Sequence, residues 1–131
     1  MRFILFALLL TISAPSFVPD ADAQTKTRVR FPAGTSSTAV KGSIRGYAYR
    51  DYIVRGSADQ TIAVAIDSRN TYTVLSVFRP DGESLDGAAQ TDEFTGPLPV
   101  TGDYLVRIAM MRAGARRRGA VSNFTLKISI D

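Results

Sequence analysis

Four arginines fall within seven residues of this chain: Arg112, Arg116, Arg117 and Arg118, in the stretch RAGARRRGA (112–120). A guanidinium group is a planar fork of donors that stays charged and pairs bidentately with carboxylates and phosphates. Four of them cannot be buried without partners, so the stretch is expected to be an exposed turn, bent at Gly114 and Gly119. Its uses divide three ways. It can be a solubilising or gatekeeping tip that keeps neighbouring strands from aggregating. It can grip phosphates, of nucleic acid or of outer-membrane lipid. It can probe a carboxylate-lined cleft on another protein. A nucleic-acid surface would need a broader basic face with stacking aromatic rings.

A second stretch, RGYAYRDY (45–52), gathers Tyr47, Tyr49 and Tyr52 among Arg45, Arg50 and Asp51. On an extended strand Tyr47 and Tyr49 share one face and Tyr52 takes the other. At least one of these rings is expected in the core with its hydroxyl near the surface. Tyrosine and arginine also dominate binding hot spots, because they carry large contact area and several hydrogen bonds each.

The carboxylates Asp81, Glu83, Asp86, Asp92, Glu93 and Asp103 lie in or beside one long loop. Paired carboxylates hydrolyse glycosides, but nothing in this spacing selects a pair. The segment DGESLD (81–86) offers oxygen donors to calcium without the spacing of an EF-hand. A solvated loop is the expected reading. The chain has no His and no Cys. Nucleophilic triads that depend on histidine are therefore excluded, as are zinc sites of the Cys/His type. No catalytic residue, metal site or cofactor is expected.

The compartment is read from the first residues. Arg2 is followed by the apolar run FILFALLLTI (3–12), the breakers Pro15 and Pro19, and the small residues of ADA (21–23). This is the pattern of a secretory signal peptide, residues 1–23, cut after Ala23. The run is short of the roughly 20 apolar residues that cross a bilayer, so no membrane insertion is expected after cleavage. The remaining 108 residues, Gln24–Asp131, make one domain with a net charge of +5. Export, with a periplasmic destination, argues against nucleic acid as partner. Without cysteines the exported chain must be held by its core alone.

That core is expected between strands. Alternation of period two marks TRVRF (27–31), AVKGSIRGY (39–47), YRDYIVR (49–55), QTIAVAID (60–67), TYTVLSVFRP (71–80), GDYLVRIAMM (102–111) and SNFTLKISI (122–130). Residues 24–26 read as a frayed start, and 81–99 as a long acidic loop. No segment has helical periodicity. Short strands between turns at this density define an all-β fold, a single-domain antiparallel β-sandwich.

Two segments carry a resemblance. SSTAVKGSIRGYAYRDYIV (36–54) and GPLPVTGDYLVRIAMMRAGARRR (96–118) resemble the periplasmic inhibitors of g-type (goose-type) lysozyme. The shared pattern runs G-x-I-x-G-Y-x-Y-x-x-Y, then L-P-x-x-G-x-Y-x-[LV]-R-[IV], then R-x-x-x-R. Parts of it are also similar to the wider group of bacterial pre-peptidase C-terminal β-domains. The resemblance implies a small antiparallel sandwich that inhibits a g-type lysozyme and so protects peptidoglycan, the bacterium's own wall. It implies that a tyrosine and two arginines four residues apart enter the lysozyme cleft, which here are Tyr47, Arg112 and Arg116. Arg45, Tyr49, Arg117 and Arg118 are candidate rim contacts. The alternative is a generic pre-peptidase-type binding module for an envelope glycan, lipid or protein.

Overall fold

A computed structural model describes residues 24–131. The expected signal peptide, 1–23, lies outside the described residues. Eight strands follow in order: β1 (Gln24–Arg28), β2 (Ser37–Arg45), β3 (Tyr49–Gly56), β4 (Thr61–Ser68), β5 (Thr73–Phe78), β6 (Glu93–Pro97), β7 (Gly102–Met110) and β8 (Val121–Ile130). One short helical turn, α1 (Arg112–Ala115), stands between β7 and β8. The strands form two four-stranded sheets, ordered β1-β3-β7-β5 and β2-β8-β4-β6.

Period-two patterning places the core between these sheets. From one sheet Tyr52, Val54, Leu75, Val77, Tyr104, Val106 and Ile108 point inward; from the other come Ile44, Ile62, Val64, Phe124, Leu126, Ile128 and Ile130. Each such side chain stabilises the fold by about 1.5–3 kcal/mol on leaving water. Tyr52 and Phe124 meet edge to face across the sandwich, with centroids 6.3 Å apart. Gly42 makes room for them. A Cβ there would lie 2.5 Å from the Phe124 ring and 2.6 Å from the Tyr52 hydroxyl oxygen.

Three elements differ from the sequence reading. Residues 24–26 are strand and not a frayed start, the strand expected over 27–31 ends at Arg28, and β1 pairs in parallel with Tyr49–Ile53. β6 forms inside the stretch expected to be loop, against Thr61–Ala65 of β4. Both lie at sheet edges. Backbone hydrogen bonds hold them, and short edge strands need little hydrophobic patterning of their own. The third is α1, a single turn too short to show periodicity. Among the described residues no group of three or more His, Cys, Asp or Glu is gathered as a metal site.

Charge is unevenly spread along the sandwich, with Asp67 the acid beside the arginine end. Three connections share one end: the β2–β3 turn, the β4–β5 link and the β7–β8 loop, which together carry Arg45, Arg69, Arg112, Arg116, Arg117 and Arg118. Asp59, Asp81, Glu83, Asp103 and Asp131 lie at the other end. There three cations are paired: Arg28 and Arg55 with Asp103, and Arg79 with Asp81. The Arg28 bond and charge hold the Asp103 carboxyl below its ordinary range.

Candidate functional site: the arginine end of the sandwich

β3 follows β2 through a tight turn at Gly46 and Tyr47, in which Ala48 N donates to the Arg45 carbonyl at 2.9 Å. Gly46 has φ +54°, a left-handed conformation that costs any residue with a Cβ roughly 1–2 kcal/mol. This turn takes Tyr47 off the strand. The expectation that Tyr47 and Tyr49 share a strand face is corrected accordingly. Tyr47 stands at the tip, 66% exposed, the most exposed large hydrophobic side chain among the described residues. Tyr49 lies on the outer face of its sheet, with the Arg107 guanidinium 4.1 Å above its ring. Tyr52 enters the core, as the strand alternation requires.

The β7–β8 loop is built as a helical turn. Ala115 N donates to Met111 O at 2.9 Å and Arg116 N to Arg112 O at 3.1 Å. Arg116 itself remains in the right-handed helical region, as the C-cap. Arg112 and Arg116 are therefore one turn apart and project from the same side of α1. Two like charges so placed repel by a few tenths of a kcal/mol, a cost that an approaching carboxylate would relieve. Arg117 and Gly119 close the loop: Ala120 N donates to Arg117 O at 3.1 Å, and Gly119 has φ +70°.

One bond joins the two loops. Gly46 N donates to Ala120 O at 3.0 Å, and the Gly46 backbone also packs beside the Ala115 carbonyl. The turn carrying Tyr47 is thereby seated against the loop carrying Arg112 and Arg116. Arg45, the last residue of β2, is exposed beside them.

The third connection is the foundation. Asn70 Nδ2 donates to Val121 O at 3.1 Å and approaches Met110 Sδ at 3.2 Å, while Asn70 Oδ1 accepts from Tyr72 N at 3.0 Å. Beneath it the hydroxyls of Ser68, Thr73 and Ser122 form a small network, with Ser122 fully buried. Tyr72 O accepts from Met111 N at 2.8 Å, just before α1 begins. Tyr72, Asn70 and Gly114 carry no obvious functional signature in the sequence; only the turn-favouring Asn70 and the glycine inside an arginine cluster hinted at them.

The candidates are thus distributed unequally. Tyr47, Arg112 and Arg116 are brought together and exposed, with Arg45 and Arg118 at their side. Arg117 is engaged internally: its Nη2 donates to the Tyr72 hydroxyl at 2.6 Å, with the guanidinium 4.7 Å from the ring centroid. Tyr49 is engaged by Arg107, which also holds the buried Asp51 carboxylate through bonds of 2.8 and 3.0 Å. Among the described residues Arg112, Arg116, Arg117 and Arg118 make no ion pair. The loop presents guanidinium groups whose charge is unspent, which is the requirement for recognising an acidic group on a partner.

The two sheets define a β-sandwich of the pre-peptidase C-terminal type. Such a domain of a Bacillus anthracis collagenase superposes with a TM-score of 0.51 at 12% identity, over 84% of this chain and 96% of that one. A closer likeness is to Aeromonas hydrophila PliG, a periplasmic inhibitor of g-type lysozyme. It shares 34% identity over 85% of this chain and 100% of its own, with a TM-score of 0.74. Salmonella Typhimurium PliG has the same fold, with 24% identity over 82% and 98% of the two chains and a TM-score of 0.67. No protein-family model and no curated protein matches the chain. On its likeness to the Aeromonas protein, the chain belongs to the family of periplasmic inhibitors of g-type lysozyme.

Proposed function

We propose that this protein inhibits a g-type lysozyme by placing the arginine end of its sandwich in the lysozyme's active-site cleft. A lysozyme cleaves peptidoglycan with a carboxylic acid held in that cleft. Arg112 and Arg116 pair with cleft carboxylates and take them out of reaction. Tyr47 packs where a sugar ring would lie. Arg45 and Arg118 meet the rim. The protein contributes no catalytic group and is not itself an enzyme. Inhibition needs only a surface that fits and stays fitted.

The observation that carries this reading is the Gly46–Ala120 bond, which seats the exposed Tyr47 turn against the loop bearing two unpaired arginines one helical turn apart. A loop fixed before binding loses little conformational entropy when it docks.

The test is a wall-lysis assay. Purified mature protein is titrated into a g-type and, separately, a c-type lysozyme acting on bacterial cell walls. Inhibition selective for the g-type enzyme is the expected outcome. Lysis by both enzymes at the uninhibited rate would reject the reading and leave the generic binding module in its place.

A further inference from the structure

We propose that Tyr72 is the positioning residue of the arginine loop and that Arg117 is its strut. The inference rests on the inhibitor reading, because it assigns the loop's order a purpose in binding. Three contacts converge on Tyr72. Its carbonyl accepts from Met111 N at the entrance to α1. Its ring is covered by Gly114, where a Cβ would sit 2.4 Å from the Tyr72 Cβ and Cγ atoms. Its hydroxyl accepts from Arg117 at 2.6 Å, with the guanidinium also against the ring face.

These contacts act at the start, middle and end of the helical turn. Between them they fix where Arg112 and Arg116 project, although Tyr72 touches neither. Gly114 is required by close approach and not by backbone freedom, since no other residue leaves α1 flush with the ring. The four arginines then divide by task. Arg117, itself exposed, bends back onto Tyr72 and holds the loop; Arg112, Arg116 and Arg118 are exposed and make no such side-chain bond. A cation–aromatic contact beside a charge-assisted hydrogen bond is a strong combination at a partly exposed site. Asn70 orders the base of the device, holding Tyr72 N and the start of β8 with one side chain.

The test compares Tyr72→Phe, Arg117→Met and their combination with the parent protein, and adds Gly114→Ala as a second route to the same effect. Tyr72→Phe keeps the ring and removes the bond to Arg117, so the fold is retained. Amide hydrogen exchange of the free protein reports loop order with no lysozyme present. Exchange at the hydrogen-bonded amides of Arg116, Arg117 and Ala120 is expected to accelerate about tenfold in Tyr72→Phe and in Arg117→Met, with no further gain in the double variant. The melting temperature should stay within a few degrees of the parent. Inhibition should weaken about tenfold in step with exchange. Gly114→Ala should loosen the same amides and weaken inhibition further.

Unchanged exchange in both single variants overturns the clamp, whatever lysozyme does. Faster exchange with undiminished inhibition overturns its purpose in binding. Additive effects in the double variant overturn the pairing of Tyr72 with Arg117. If the parent protein itself fails to inhibit, the inhibitor reading has failed, and the purpose assigned to the clamp falls with it; the exchange data then still decide whether Tyr72 orders the loop.

Discussion

Gly46 and Ala120 are far apart in the chain, yet a backbone hydrogen bond of 3.0 Å joins them. Through it the most exposed tyrosine of the fold is held beside an arginine loop that makes no ion pair. An exposed aromatic ring beside unpaired guanidinium groups is the feature on which the proposed cleft-binding role rests.

Replacing the probes singly tests that assignment. Arg112→Ala and Arg116→Ala should each weaken inhibition by about 2–4 kcal/mol, the cost of truncating a buried charged hot spot. Tyr47→Ala should weaken it too, by at least about 1 kcal/mol. All three side chains are exposed in the free protein, so melting temperatures should hardly move. A titration of lysozyme activity beside a thermal melt measures both. Full inhibition by Arg116→Ala would remove that residue from the site.

The uneven spread of charge makes a statement about rate. With six arginines at the proposed docking end, the protein should be steered toward an acidic cleft despite its net positive charge. The association rate should fall about tenfold between low and high salt, while dissociation changes little. Stopped-flow mixing across a salt series reads this directly. An association rate that rises with salt would show that repulsion between two basic proteins dominates the encounter.

The Asp51–Arg107 pair should respond asymmetrically to mutation. Asp51 is 2% exposed, whereas about a third of Arg107 remains open to solvent. Arg107→Ala strands a buried carboxylate and should cost about 3 kcal/mol. Asp51→Ala frees a guanidinium that can turn to water, and should cost about 1–2 kcal/mol. Denaturant unfolding of the two variants gives the comparison, and equal losses would contradict it.

Tyr52 should govern the alkaline limb of stability. Its hydroxyl is buried without a hydrogen-bond partner. Burial raises its pKa above the ordinary 10, with the nearby Arg50 charge opposing in part. A raised folded-state value means that stability is fully present below pH 10 and is lost as pH rises through the folded-state value. Tyr52→Phe should therefore flatten the decline above pH 10. Because no bond is broken, it should cost little at neutral pH. Melts of both proteins from pH 7 to 11 check the two statements together.

How much of this could be read beforehand varied with the kind of force involved. Burial patterns are local. In β7 and β8 the alternation in the chain predicts which residues face the core, and Tyr104 to Met110 and Ser122 to Ile130 obey it. Edge pairing is not local, so β1 and β6 left little trace. Turn geometry fell between the two. Glycine permits a bend, but only the φ of +54° at Gly46 shows that Tyr47 leaves the strand while Tyr49 stays on it.

By itself the sequence excluded histidine-dependent and cysteine-dependent chemistry and specified strands with inward faces. These properties follow from residue type and spacing, which survive without a fold. The family resemblance, and not spacing, singles out Tyr47, Arg112 and Arg116, and it leaves Arg117 and Arg118 alike as candidate rim contacts. That Arg117 bends back to Tyr72 while Arg112 and Arg116 make no side-chain bond depends on a ring supplied by the β4–β5 connection. Only folding brings that ring beneath Gly114. The tertiary structure decided it because a guanidinium's task is set by its nearest partner, and that partner is remote in sequence.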